Sequence, residues 1–140
     1  MNLFIDTNVV IDYLADRQPF SEQAAEIFNY AEQGRISIHI SAVSYNNIYY
    51  ILRQSLNHTA TIKILDEITE MVQIAEVNEA VIKKSLKSDF KDFEDAIQNN
   101  SALLVPKLKA IVSRNIKDFK HSTVAVLSPT EVLALINLEK

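Results

Sequence analysis

The sequence predicts an α/β protein with three layers, α/β/α, around a central, mostly parallel sheet of about five strands. Short apolar runs with the composition of buried strands alternate with longer segments whose apolar residues recur at the helical period. This alternation favours right-handed crossovers, which place the strands parallel. No linker, repeat or low-complexity tract divides the 140 residues, so we expect a single domain over residues 1–140.

The strands are predicted from short runs rich in Val, Ile, Leu and Phe. The first run, Leu3-Phe4-Ile5, is apolar at every position, which is typical of a strand covered on both faces. The predicted strands span residues 2–5, 37–40, 72–75, 110–113 and 123–126.

The helices are predicted from apolar residues at helical spacing. In residues 21–33, Ala24, Ile27, Phe28 and Ala31 form an apolar stripe between polar residues. The predicted helices span residues 9–15, 21–33, 42–56, 59–71, 78–87, 92–103 and 130–138.

Composition excludes several kinds of chemistry. The single glycine cannot build a phosphate-binding loop, a dinucleotide-binding turn or a nucleophile elbow. With no cysteine and only three scattered histidines, a zinc site is not expected. The remaining reactive groups are carboxylates, amides and hydroxyls, whose hard oxygen atoms suit Mg²⁺ or Mn²⁺.

Acidic residues follow the predicted strands or begin a helix. Asp6 comes directly after the first strand, where an open parallel sheet binds ligands, although an Asp in that position also favours a helix cap. Asp92 and Asp95 are three positions apart and share a helix face. The alternative role for Asp92 is that of a helix N-cap. Glu94 is expected to point elsewhere.

A second polar cluster follows the strand at 110–113. Ser113 ends that strand, and Asn115 and Asp118 come next, three positions apart. Acids gathered at one edge of a sheet repel one another unless a divalent cation lies between them. The sequence therefore predicts a cation site at this edge.

Four segments resemble, in order, the motifs of the PIN-domain family, the fold of toxin ribonucleases and related metal-dependent nucleases. They are Phe4-Ile5-Asp6-Thr7-Asn8, then Ser41-Ala42 followed by Asn47-Ile48-Tyr49-Tyr50-Ile51-Leu52, then Phe93-Glu94-Asp95-Ala96-Ile97, and last Ser113-Arg114-Asn115-Ile116-Lys117-Asp118-Phe119. The resemblance spans nearly the whole chain. It implies a PIN-like fold.

The resemblance also implies a set of site residues. Asp6 and Asp95 would bind Mg²⁺ or Mn²⁺, and Asp118 would complete the catalytic acids. The family usually has Glu where this chain has Asn47, whose amide oxygen can bind a cation but brings no charge. Other candidate ligands are Asn115, directly or through water, and Asp92; the supporting residues would be Thr7, Asn8 and Ser113.

The activity implied is metal-dependent hydrolysis of phosphodiester bonds in RNA, with metal ions that activate a water and stabilise the leaving oxygen. Phosphate contacts are expected from Arg114 and Lys117, and from Arg53 and His58. Lys107, Lys109 and Lys120 are expected to lie with Arg114 and Lys117 at the rim of the site. Nucleic-acid-binding proteins usually carry a basic surface, whereas this chain has a net charge of −4. The alternative is therefore that these cations belong to an ordinary solvated surface and do not contact RNA.

The expected partners are an RNA substrate, a second copy of the chain in a homodimer, and an antitoxin protein, since many members of the family are toxins held by antitoxins. No apolar run approaches the roughly 20 residues that span a bilayer, so no membrane partner is expected. The absence of cysteine fits the reducing cytoplasm.

Two other readings stay open. The chain could be a PIN-fold nucleic-acid-binding or interaction protein with a weakened metal site, which Asn47 favours and the retained Asp6 and Asp95 oppose. A receiver-type or phosphatase domain also uses acids at strand ends. Those folds need a second acid near Asp6, where this chain has Thr7 and Asn8.

Overall fold

A computed structural model describes residues 1–139. Five strands form one parallel sheet in the order β3-β2-β1-β4-β5, with β1 at its centre. The strands are β1 Asn2–Ile5, β2 Ser37–Ser41, β3 Val72–Ala75, β4 Leu108–Val112 and β5 Val126–Leu127. The predicted parallel α/β architecture is confirmed.

Seven α-helices connect or flank the strands within residues 1–139. They are α1 Thr7–Leu14, α2 Ser21–Glu32, α3 Ala42–Leu52, α4 His58–Thr69, α5 Glu79–Leu86, α6 Phe93–Ala102 and α7 Pro129–Leu138. A short 3₁₀ helix, Ile116–Phe119, follows β4. None of the described helices is long and apolar enough to cross a membrane.

The core lies on both faces of the sheet, which explains the continuous apolar run in β1. Leu3 and Ile5 belong to the larger core cluster, which includes residues of α1, α2, α3, α4 and α7. Phe4 points to the opposite face and packs in a smaller cluster with Ala102 of α6 and Phe119 of the 3₁₀ helix. Alternate residues of one strand thus serve the two halves of a three-layer structure.

Several predicted boundaries differ from those observed. Helix α3 ends at Leu52 instead of residue 56, because residues 53–56 are exposed and lead into Asn57, whose side chain caps α4. Helix α1 begins at Thr7, directly after Asp6, and not at residue 9. Strand β5 pairs with β4 only over Val126–Leu127, later than the predicted 123–126. The 3₁₀ helix was not predicted.

Candidate active site

Asp6 lies at the carboxyl end of the central strand. β1 pairs with β4 in a register that sets Ile5 beside Val112, so that Ser113 comes alongside Asp6. The Ser113 hydroxyl donates a hydrogen bond to Asp6 Oδ2 (2.8 Å). Asp6 occupies the N-cap position of α1, but its side chain makes no capping hydrogen bond there. Ser113 therefore helps to orient this carboxylate.

Three more acids lie at the N-terminal end of α6. Asp92 is the N-cap, and its Oδ1 accepts a hydrogen bond from the Asp95 backbone N–H (3.0 Å). The capping role considered for Asp92 is confirmed. Asp92 also lines a cavity together with Asp6, Glu94 and Asp95. Asp92 therefore caps the helix and still lies beside the other acids.

The expectation that Glu94 points away from the other acids is wrong. Glu94 is half-buried and lines the same cavity as Asp6 and Asp95. Asn47 of α3 lies there too, and its Nδ2 donates a hydrogen bond to Glu94 Oε1 (2.6 Å). Asn47 therefore lies at the cavity, with a hydrogen-bond partner that the sequence did not predict.

Gln98 is a further residue that sequence reasoning missed. Its side chain is 1% exposed. Its Oε1 accepts a hydrogen bond from the Thr7 backbone N–H (3.0 Å), and its Nε2 donates to Glu94 Oε2 (3.4 Å). The Thr7 hydroxyl is hydrogen-bonded in turn to the buried hydroxyl of Ser44. An isolated Gln within a helix has no spacing that could have indicated this link between α6 and the start of α1.

The acids described above and Asn47 line one cavity of about 460 Å³ at the carboxyl edge of the sheet, here called the acidic cavity. Ile11, Tyr50 and Ile51 form its apolar wall. Its polar lining consists of Asp6, Thr7, Asn8, Asn47, Asp92, Glu94, Asp95 and Asp118.

The acidic cavity fits a hard divalent cation by the chemistry of its donors. Its polar lining offers carboxylate, amide and hydroxyl oxygens, with neither sulfur nor imidazole. Over residues 1–139, no three acidic or histidine side chains converge closely enough to form a ready-made metal-binding group.

Mutual repulsion is visible in the pKa of Asp95. Burial raises this pKa, and the negative charges of Asp92, Asp6, Asp118 and Glu94 raise it further, to about 7. Burial also raises the pKa of Glu94, as do the charges of Asp6 and Asp92, while the interactions of Thr7 and, to a smaller extent, Asn47 with its carboxylate oppose this rise. For Asp6, burial raises the pKa and the hydrogen bond from Ser113 opposes it. A bound cation would reverse these shifts, because it favours the charged form of each carboxyl group.

The segment after β4 brings Asp118 to the cavity but not Asn115. Asp118 is exposed and lines the acidic cavity. Asn115 is also exposed, and its backbone N–H donates to the Ser113 hydroxyl (3.0 Å). The 3₁₀ helix carries Asp118 towards α6, whereas Asn115 precedes that turn and is not among the residues that line the cavity.

A second cavity, of about 310 Å³, lies beside the first and is here called the basic cavity. The two cavities share Asp92, Asp95 and Asp118. The remaining residues of the basic cavity are Lys91, Lys117, Lys120 and His121. Positive groups therefore adjoin the acids directly, as expected for Lys117 and Lys120.

Arg114 has a different environment from the one expected of a free phosphate contact. Its Nε lies 2.6 Å from Oδ2 of Asp12, which is 1% exposed, and its Nη2 lies 3.2 Å from Oδ1. Its guanidinium also stacks over the ring of Phe20, 3.8 Å from the centroid. A buried carboxylate and an aromatic ring thus already hold this side chain.

Three other predicted cations lie away from the acids. Arg53 follows α3, six positions after Asn47 or about 9 Å along a helix axis, and donates to the Tyr49 hydroxyl. The expectation that Lys107 and Lys109 lie at the rim is wrong. Lys107 directly precedes β4 and Lys109 is the second residue of β4, so both lie at the edge of the sheet opposite the site, where Lys109 pairs with Glu139 at 4.0 Å.

Fold and site together define a class: a parallel α/β domain with a cluster of carboxylates where the strands end. The sequence profile described as "PIN domain" matches residues 2–117. The chain belongs to the PIN-domain family. The comparison with curated protein sequences gave no match.

Several solved structures share this fold. One is FitAB bound to an IR36 DNA fragment, with 17% identity, coverage of 91% of this chain and 94% of that one, and a TM-score of 0.69. VapBC-1 from nontypeable Haemophilus influenzae is 19% identical, with coverage of 93% of this chain and 99% of that one and a TM-score of 0.67. VapBC2 from Rickettsia felis, bound to a DNA fragment from its promoter, is 16% identical, with coverage of 91% of this chain and 98% of that one and a TM-score of 0.65. At these identities the likeness establishes the fold.

Proposed function

We propose that this chain is an endoribonuclease that depends on a divalent cation, Mg²⁺ or Mn²⁺. The observation that carries the proposal is the acidic cavity itself, where Asp6, Glu94 and Asp95 meet Asp92 and Asp118. Within residues 1–139, none of these five carboxylates forms an ion pair with a basic side chain. Acids gathered without basic partners are costly to keep together unless a cation neutralises them.

Asp6, Asp95 and Asp118 are proposed as the acids that bind the cation, with Asp92 and Asn47 as further candidate ligands. Asn115 does not line the cavity and would act only through water. When bound, the cation supplies Lewis-acid activation of a water and neutralises charge on the phosphate. The protein holds Asp6 in place through Ser113, and Thr7 and Asn8 complete the wall beside it. The reaction needs no nucleophilic side chain.

The RNA substrate is proposed to lie across both cavities. A phosphate beside the shared acids Asp92, Asp95 and Asp118 would be within the range of Lys117 and Lys120, because these cations line the adjoining wall. Arg114 and Arg53 contribute less in this proposal, since other protein groups already hold their guanidinium groups.

A toxin–antitoxin role is the biological setting that we propose. It is supported by family membership and by the VapBC and FitAB complexes whose fold this chain shares. The partners would be an antitoxin protein and a second copy of the chain, in the cytoplasm where RNA is the substrate.

The test is cleavage of defined single-stranded RNAs by the purified chain with Mg²⁺, Mn²⁺ or EDTA. We expect cutting with either metal and none with EDTA. Asp6→Asn and Asp95→Asn should each abolish cutting, and Lys109→Ala, at the opposite edge of the sheet, serves as the matched control. Cutting that survives thorough chelation would overturn the metal mechanism. Inactivity of the wild type on a broad RNA panel would favour a binding protein with a weakened site, the alternative that Asn47 suggests.

A further inference from the structure

We propose that Glu94 supplies the carboxylate that this chain lacks at position 47, and that Asn47 is the positioning residue that holds it. The inference deepens the proposed function and rests on it, since it names a ligand of the same cation. Its basis is the direct contact between the two side chains, Asn47 Nδ2 to Glu94 Oε1 at 2.6 Å.

Asn47 lines the acidic cavity, so helix α3 still presents position 47 to the site. Its neighbour Asn46 is exposed and does not line the cavity. The Asn47 amide faces the Glu94 carboxylate with its nitrogen, because an amide oxygen there would be repelled by a carboxylate oxygen. Asn47 is thus engaged as a hydrogen-bond donor.

Glu94 is held at both of its oxygen atoms, each by an amide from a different helix position. Asn47 of α3 binds Oε1, and Gln98, one turn further along α6, donates to Oε2 (3.4 Å). The other end of the Gln98 amide accepts from the Thr7 backbone N–H (3.0 Å), directly after Asp6. Hydrogen bonds therefore fix the position of the Glu94 carboxylate with respect to both α3 and the end of β1.

The surroundings of Glu94 do not fit an ordinary structural carboxylate. It is half-buried, and within residues 1–139 it has no basic partner. Neutral amides satisfy its hydrogen bonds but leave its charge uncompensated beside Asp6 and Asp95. A cation in the acidic cavity would compensate that charge. In this proposal α6 supplies the acid on the side of the cavity where α3 supplies only an amide.

The test exchanges the two groups and measures uptake of Mn²⁺ alone, without RNA, by titration calorimetry and by the rise in Tm. Glu94→Gln keeps the size of the side chain and removes its charge, and we expect Mn²⁺ affinity to fall at least about tenfold, the lower end of what loss of a supporting group costs. The double variant Asn47→Glu with Glu94→Gln returns the acid to α3 and should recover most of that loss. The matched control, Asn46→Glu with Glu94→Gln, restores the net charge one position away and should recover none.

Each result decides the proposal. Wild-type affinity in Glu94→Gln, no recovery in the double variant, or equal recovery in the Asn46 control would each overturn it. Asn47→Glu alone should lower Tm without metal relative to the double variant, because two carboxylates would then meet. If the wild type binds Mn²⁺ and cuts RNA while Glu94→Gln binds equally well, only this inference fails. If the wild type takes up no Mn²⁺, the proposed function fails with it.

Discussion

Burial and the charges of four neighbouring carboxylates raise the pKa of Asp95 to about 7. Asp6 is 3% exposed, and burial alone, without a neighbouring charge, raises its pKa. We therefore expect substitution of the two acids to change Tm differently in the protein without metal.

Asp95→Asn should raise Tm without metal at pH 8, because it removes one of several like charges. Asp6→Asn should leave Tm equal or slightly higher, since the amide can still accept the hydrogen bond from Ser113. Thermal unfolding in EDTA measures both. If both variants unfold well below the wild type, the acids are structural and the site assignment is wrong.

The pH dependence of stability without metal follows from Asp95. Its folded pKa, about 7, lies above its unfolded value of 3.8. The folded state then holds the proton more tightly, so this group contributes most stability below pH 3.8 and loses that contribution as pH rises through 7. We expect Tm in EDTA to fall between pH 5 and pH 8, and Asp95→Asn to flatten the fall. Equal slopes for the two proteins would contradict this.

At the scale of the element, the first turn of α6 has both a structural and a chemical task. Asp92 caps the helix through the Asp95 backbone N–H. Asp92→Ala should lower the free energy of unfolding by about 1 kcal/mol, whereas Asp92→Ser should keep most of the cap. Denaturant unfolding in EDTA measures this. If Ser matches Ala, capping is not what Asp92 contributes to stability.

The same pair of variants separates capping from metal binding. Both lack the Asp92 carboxylate, so both should weaken Mn²⁺ uptake equally if Asp92 is a ligand. Unchanged uptake in the stable Asp92→Ser variant would restrict Asp92 to its role as a cap.

The sequence predicted the order and type of the elements well, because apolar periodicity reports directly on burial. It failed where local geometry decides. The expectation for Glu94 assumed that a helix presents one face, but the acidic cavity lies at the N-terminal end of α6 and collects Asp92, Glu94 and Asp95 from around its first turn. Strand β5 was predicted too early because composition does not fix which residues pair.

At the scale of the whole molecule, the net charge of −4 conceals basic groups placed beside the acids of the site. Five acids line the acidic cavity, and three of them, Asp92, Asp95 and Asp118, also line the basic cavity together with Lys91, Lys117, Lys120 and His121. Sequence reasoning identified Lys117 and Lys120 but added Lys107 and Lys109, because nearness along the chain cannot distinguish the two ends of a strand. From Leu108 to Val112, β4 carries the chain about 13 Å.

The basic cavity makes a prediction about the salt dependence of RNA binding. Lys117→Ala and Lys120→Ala should each weaken binding of single-stranded RNA irrespective of its sequence. Each should also reduce the slope of log K against log salt by about 0.7, the value for one phosphate contact on a single strand. Binding is measured in the Asp95→Asn background, which prevents cleavage. Lys109→Ala is the control, since this side chain pairs with Glu139 at the opposite edge of the sheet. If Lys109→Ala changes the slope as much as Lys117→Ala, the RNA does not follow the basic cavity, and its path must be sought on another face.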